Sequence, residues 1–204
     1  MNVDLYHGDL PDGLDLGSTV AIDTETMGLD PHRDRLCLIQ LSSGDGNCHL
    51  VQFAQGQYDA PNLKQMLQDS GVLKLFHFAR FDVAMIKKYL EVDCAPVYCT
   101  KIASRLSRTY TDRHGLKDIC RELLGVEISK QQQSSDWGRA TLSEEQLQYA
   151  ASDVLYLHQL KTILDDMLDR EGRTELAQAA FDFLPARAAF DLAGYADTDI
   201  FAHS

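Results

Sequence analysis

The stretch from residue 19 to residue 53 most constrains the fold, because it holds three apolar runs of strand length with short connections. Residues 19–22 lead into Asp23, residues 35–41 form the second run and residues 47–53 form the third. The connection Ser43-Gly44-Asp45-Gly46 consists of residues that favour tight turns. Connections this short join antiparallel neighbours, so we predict a three-stranded meander.

Helical patterns follow the meander. Pro61 begins one that continues through about Asp69, residues 72–76 read as a buried strand, and residues 81–90 return to helical spacing. This alternation of helix and strand predicts an α/β core built on a mixed sheet.

The second half of the chain is mainly helical. Ser143 and Gln146 have the spacing of a capping box, which predicts the start of a long amphipathic helix that continues to about Arg170. The segment 183–204 is apolar and irregular. Two interpretations of it stay open: a strap packed on its own subunit, or a tail that contacts another subunit.

Composition limits the organisation of the protein. The chain has 204 residues, of which 45% are hydrophobic, enough for one core, so we expect a single domain over 1–204. We find neither a secretion leader nor an apolar run of membrane-spanning length, so we expect no membrane partner. The five cysteines lack CxxC spacing and fit reduced thiols in a cytoplasmic protein.

The formal net charge of -12 disfavours a protein that holds long nucleic acid by neutralising many phosphates. The objection weakens for a very short substrate, since a few donors and metal ions then neutralise every phosphate. The charge therefore indicates either no nucleic-acid binding or small oligonucleotides.

Five residues are candidates for chemistry. Asp23 and Glu25 lie two apart at a strand end, which places both carboxylates on one face; the alternative is a solvated turn. Asp82 lies where a buried strand gives way to a helix, a position that also suits an N-cap. Tyr149 and Asp153 lie four apart on one helix face, where a local hydrogen bond is the alternative.

Taken together, the carboxylates of Asp23, Glu25, Asp82 and Asp153 suit two hard divalent cations, Mg²⁺ or Mn²⁺. Two such ions about 4 Å apart can clamp the attacking and leaving oxygens of a displacement at phosphorus. With an ordinary pKa of about 10, Tyr149 is a poor general base at neutral pH, so we expect it to orient the attacking water.

These residues, in their order and spacing, resemble the ribonuclease D-like branch of the 3′→5′ exonucleases, which is named for three acidic motifs and a tyrosine. The matching motifs are DTET at 23–26, HFARFD at 77–82 and YAASD at 149–153, with SDW at 135–137, inside a resemblance that spans about 20–160. It implies a ribonuclease H-like α/β fold with a mixed five-stranded sheet flanked by helices. It also implies metal ligation by the four carboxylates and water positioning by Tyr149.

A narrower resemblance is to the nanoRNase C group within this branch. It rests on residues 31–37, 108–117, 129–137 and 199–204. It implies a dinucleotidase that cuts diribonucleotides to mononucleotides, and a ring-shaped homo-octamer. The C-terminal helical modules of larger ribonuclease D proteins are missing from this sequence, which favours a very short substrate over tRNA.

Eight further residues are expected to contact the substrate. Leu29 is suited to wedge beside the terminal base and Phe81 to stack on one, although both also suit core packing. The 5′ phosphate requires polar donors, which otherwise are simply solvated. Near the carboxylates, His77 also suits a buried structural role. The full set is Thr26, Leu29, His77, Phe81, His114, Lys130, Gln133 and Ser134.

Two other functions remain compatible with the sequence. The same chemistry serves a general exonuclease that trims longer RNA or DNA. A protein that keeps the fold without catalysis is a third hypothesis, against which the complete set of acidic motifs argues.

Overall fold

The computed structural model describes residues 2–129 and 131–203, and within them the chain forms six strands, seven α-helices and one π-helical turn. The predicted α/β class is confirmed. The strands are β1 (Asn2–His7), β2 (Thr19–Thr26), β3 (Leu36–Ser42), β4 (Asn47–Gln52), β5 (Leu73–Phe76) and β6 (Val97–Cys99). The helices are α1 (Pro61–Gln68), α2 (Ala79–Leu90), α3 (Thr100–Ser107), α4 (Leu116–Leu124), α5 (Glu144–Ser152), α6 (Leu157–Arg170) and α7 (Thr174–Phe190), after which the π-helical turn spans Asp191–Tyr195.

The strands form one mixed sheet in the order β1-β4-β3-β2-β5-β6. The predicted meander is confirmed, because β2, β3 and β4 pair antiparallel in sequence order. Strands β5 and β6 extend the sheet in parallel with β2, and β1 pairs in parallel with β4. Strand β2 therefore lies near the middle of the sheet, with a neighbour on each side.

The sheet has six strands rather than the predicted five. Sequence patterns located β2 to β5 but neither edge strand. Strand β6 has three residues, too few for an alternating pattern to be visible. Strand β1 does alternate, with Val3 and Leu5 between polar residues, but its half-buried side chains make the pattern weak.

The long helix predicted up to Arg170 is two helices, and this corrects the sequence analysis. The predicted capping box is present: the backbone N–H of Ser143 donates to Gln146 Oε1 at 3.0 Å, and the N–H of Gln146 donates to Ser143 Oγ at 3.3 Å. Helix α5 ends where the Ser152 hydroxyl donates to the carbonyl of Tyr149 at 2.6 Å. Such side-chain bonds compete with the helical ladder, and Asp153 consequently lies at the end of α5.

Buried apolar side chains form one connected cluster, to which both the sheet and the helices contribute. Helix α2 packs on β2, β3, β5 and β6, and α5 packs on β1, β3 and β4. Within the described residues, no helix combines the length and the apolar character needed to cross a bilayer.

The C-terminal segment is more regular than its sequence predicts, because α7 continues to Phe190 with Pro185 inside it. Beyond it, buried Asp191 pairs with Arg80 of α2 and with Arg187 of α7. These ion pairs tie the start of the segment after α7 to its own chain. Phe183 and Phe201 nevertheless remain partly exposed, so contact with another subunit stays a proposal.

Candidate active site

Strand β2 places two carboxylates on one face of the sheet. Asp23 lies opposite Gln40 of β3 and Glu25 lies opposite Leu38, and the register shifts directly after Glu25. The side chain of Gln40 donates from Nε2 to Asp23 Oδ2 at 3.2 Å. Because β2 lies inside the sheet, both carboxylates are fixed by a paired backbone rather than by a loop.

Asp82 enters the site from the first turn of α2, just after β5 ends. The N-cap position of this helix is Phe78, so the alternative interpretation of Asp82 as an N-cap does not hold. Its side chain is 3% exposed and accepts a hydrogen bond from Thr24 Oγ1 at 2.6 Å. This bond ties α2 to the strand that carries Asp23 and Glu25.

Helix α5 supplies the remaining two residues. Asp153, at its C-terminal end, joins Asp23 and Glu25 in a group whose ligand oxygens all lie within 4.8 Å of one another. The ring of Tyr149 lies 6.0 Å from that of buried Trp137. Asp82 lines the same cleft but lies outside this group of three.

The electrostatics of this group favour an added cation. Burial raises the pKa of the Asp23 carboxyl to about 7. Burial, together with the charges of Asp23, Asp153 and Asp82, raises the pKa of Glu25 to about 10. Four carboxylates that repel one another in a buried place are stabilised by a divalent cation, for which oxygen is the preferred ligand. The donor set therefore fits Mg²⁺ or Mn²⁺.

Burial also changes the pKa of Tyr149. Burial, and then the charges of Asp153, Glu25 and Asp23, raise the pKa of Tyr149 above its usual value. The hydroxyl consequently stays protonated at neutral pH and serves as a hydrogen-bonding group.

The carboxylates line a cleft of about 660 Å³. Six of the predicted substrate contacts also line it: Thr26, Leu29, His77, Phe81, Gln133 and Ser134. Leu29 is 83% exposed, as a wedge would require, whereas Phe81 is partly buried against the core. Lys130 lies outside the described residues. The cleft is therefore the place where most of the predicted contacts meet.

His114 is not among the lining residues, and the structure gives a reason. Its Nδ1 lies 2.9 Å from Ser104 Oγ, which also accepts from Nη1 of fully buried Arg108 at 2.8 Å. Arg108 further binds the carbonyl of Arg113 and the carboxylate of Glu122. Burial, followed by the nearby Arg108 charge, lowers the pKa of His114. The network fixes the loop before α4.

Sequence reasoning missed several lining residues, among them Phe78, Lys101 and Lys117. The sequence does contain a signal for Lys101. This residue follows strand β6, and ligands of α/β sheets bind at the carboxyl ends of parallel strands. Phe78 lies inside the second acidic motif, but the sequence pattern predicts that an aromatic residue at this position is buried in the core.

The mixed sheet with carboxylates at its centre defines a ribonuclease H-like domain whose acidic cluster could hold a cation. Residues 12–169 match the 3′–5′ exonuclease family, and the chain belongs to that family. It is 33% identical over 171 residues to ribonuclease D of Gluconacetobacter diazotrophicus, covering 84% of this chain and 43% of that protein. The chain thus spans less than half the length of this relative.

Two solved structures match over the full length of both chains. NrnC of Brucella melitensis with bound Mg²⁺ is 55% identical, with a TM-score of 0.96. The same protein bound to pGG is 56% identical, with a TM-score of 0.97. The exonuclease is therefore of the ribonuclease D and NrnC type.

Proposed function

We propose that this chain is a divalent-cation-dependent 3′→5′ exoribonuclease that hydrolyses diribonucleotides to mononucleotides. The observation that carries the proposal is the grouping of Asp23, Glu25 and Asp153 within 4.8 Å inside a cleft. Family membership supports the reaction, since the matched residues 12–169 contain every acidic residue of the site.

The residues take the following roles. Asp23, Glu25 and Asp153, with Asp82 beside them, would hold two divalent cations, Mg²⁺ or Mn²⁺. When bound, these cations supply Lewis-acid activation and neutralise charge at the scissile phosphate. The protonated hydroxyl of Tyr149 orients the attacking water, and contact with Trp137 fixes its ring.

The bond changes define the products. Water adds to phosphorus, the bond between phosphorus and the 3′ oxygen breaks, and that oxygen takes up a proton. A 5′-phosphorylated diribonucleotide therefore yields two nucleoside 5′-monophosphates.

The size of the cleft and the charge of the chain support a short substrate. A cleft of about 660 Å³ falls within the range of about 300–1,000 Å³ typical of small-molecule sites. The net charge of -12 disfavours a long phosphate backbone outside the cleft. The similar NrnC structure holds pGG, which supports a dinucleotide substrate here.

We further propose that copies assemble through the C-terminal surface, defined by Phe183, Tyr195, Ile200 and Phe201. These side chains are partly or largely exposed, and Phe201 reaches 77%. Clustered exposed aromatic residues mark protein contacts. The count of eight subunits rests on the resemblance to the nanoRNase C group, and light scattering measures it. The five buried cysteines, all thiols, support a cytoplasmic location.

The test uses a 5′-phosphorylated diribonucleotide with Mg²⁺, followed by chromatography of the products. We expect mononucleotides to appear, to stop appearing when EDTA exceeds Mg²⁺, and to return when Mg²⁺ is restored. Hydrolysis that persists in excess EDTA would exclude a cation mechanism. If no oligonucleotide is cleaved under any condition, the catalytically silent scaffold replaces this proposal.

A general trimming exonuclease remains the second candidate. DNA polymerase I of Aquifex aeolicus is 34% identical over 148 residues, covering 72% of this chain and 24% of that protein. That relative supports a longer substrate, and only a comparison of lengths separates the two activities.

A further inference from the structure

Phe78 has an unusual backbone. It connects β5 to α2 in the left-handed region, with φ 74° and ψ 42°. Among the described residues, the non-glycine positions with positive φ are Phe78 and Glu91. A bulky side chain costs free energy in this region, where glycine or asparagine fits more easily. Backbone strain of this kind is concentrated at active sites and ligand-binding segments.

Core packing does not supply that role. The Phe78 side chain is 44% exposed and lines the cleft. Phe76, two residues earlier, is fully buried in the core. The strained turn thus directs an aromatic ring to the cleft that holds the carboxylates.

A cation accompanies this ring. The ammonium group of Lys101 lies 4.4 Å from the centroid of the Phe78 ring. A cation over one face leaves the other face for an aromatic ligand, and the same positive charge attracts a phosphate. Nucleotides offer both groups, because a base stacks on an aromatic ring with tolerance of its identity.

We propose that Phe78 is a stacking platform for one nucleobase of the substrate. This inference rests on the proposed function and adds a base-binding residue to it. The sequence analysis assigned stacking to Phe81, which instead packs partly against the core. Stacking on Phe78 binds the base irrespective of which of the four it is.

The experiment separates the base from the phosphate. The chain has one tryptophan, Trp137, which lines the cleft, so its fluorescence reports binding there. AMP and ribose 5-phosphate are titrated into wild type, Phe78→Leu and Phe78→Tyr. Phe201→Leu is the matched control for loss of an exposed ring outside the cleft.

We expect Phe78→Leu to weaken AMP binding about tenfold or more, because stacking is lost. Ribose 5-phosphate binding should stay unchanged, and Phe78→Tyr and Phe201→Leu should bind AMP like wild type. If Phe78→Leu weakened the binding of AMP and of ribose 5-phosphate equally, the ring would only shape the site, and the inference would be overturned. So would an unchanged affinity for AMP, or a wild type that binds no AMP.

Diribonucleotide turnover by the wild type is measured in parallel. If the wild type binds AMP through Phe78 but cleaves no diribonucleotide, the stacking inference stands and the proposed function fails. The two failures are therefore distinguishable.

Discussion

The two sides of the cleft are built differently. The carboxylate side, which we also call the rigid side, is formed by β2, α2 and α5. Hydrogen bonds from Gln40 to Asp23 and from Thr24 to Asp82 hold these carboxylates in buried positions. A second part of the lining, which we call the loop side, consists of residues 128–129 and 133–135, which are largely irregular chain and whose polar members are mostly exposed. Rigid elements therefore carry the carboxylates, and under the proposed function the loops supply the contacts that select the length of the substrate.

One anchor of the loop side belongs to helix α5. Buried Gln146 caps α5 and also donates from Nε2 to Ser135 Oγ at 3.0 Å and to the carbonyl of Asp136 at 3.1 Å. The helix that carries Tyr149 and Asp153 is thus joined to the loop side through the Gln146 side chain.

The largest effect should come from the rigid side. Asp23→Asn keeps the shape of the side chain but removes a cation ligand, so we expect kcat to fall about a thousandfold or more. The fold should be kept, since one of several repelling carboxylates is neutralised. Steady-state kinetics measures kcat, and thermal unfolding shows whether the fold is kept. The control is Asp166→Asn, at an exposed position of α6. Activity within tenfold of wild type would contradict the metal assignment.

Tyr149→Phe should have the next largest effect. The ring keeps its contact with Trp137, but the hydroxyl that we propose orients water is lost. We expect kcat to fall about a hundredfold with little change in KM. A change confined to KM would instead place Tyr149 among the substrate contacts.

Gln146→Glu tests the link between the two sides. Glutamate still accepts from the N–H of Ser143 but cannot donate to the carbonyl of Asp136, so α5 keeps its cap while the loop side loosens. We expect KM for the diribonucleotide to rise about tenfold, with a much smaller change in kcat.

The matched comparison is Ser143→Ala, which removes part of the cap and leaves the bonds to the loop. It should lower the free energy of unfolding by about 1 kcal/mol and change KM less than Gln146→Glu does. If the two variants change KM equally, helix capping rather than loop anchoring explains the effect.

The smallest effects should come from the loop that carries Leu29. Leu29→Ala shortens an exposed side chain, so we expect KM to rise about fivefold with unchanged stability. Gly28→Ala differs, because its Cβ would lie 2.2 Å from Asp34 Oδ2. Besides raising KM, Gly28→Ala should lower the free energy of unfolding by about 1–3 kcal/mol. Thermal unfolding of both variants distinguishes a loss of substrate contact alone from a loss of stability.

The sequence predicts the rigid side of this comparison better than the loop side. Periodicity located β2 and α2, and the two-residue spacing of Asp23 and Glu25 placed both on one strand face. The break after Ser152 was missed, because a side-chain hydrogen bond to the Tyr149 carbonyl leaves no periodic signal. His114 was assigned to the cleft from its polarity, but the buried Arg108 network that holds it depends on tertiary contacts. Loop contacts of this kind are not encoded in local patterns.

One measurement tests the central claim that the site acts on diribonucleotides. Oligoribonucleotides of two, three and five residues, labelled at the 5′ end, compete in one reaction with Mg²⁺ and catalytic amounts of protein. We predict that kcat/KM for the dinucleotide exceeds that for each longer chain by about tenfold or more, because the proposed function requires the cleft to hold both ends of a dinucleotide. If the longer chains are shortened as readily, the protein is a general trimming exonuclease and the assignment of the substrate is wrong.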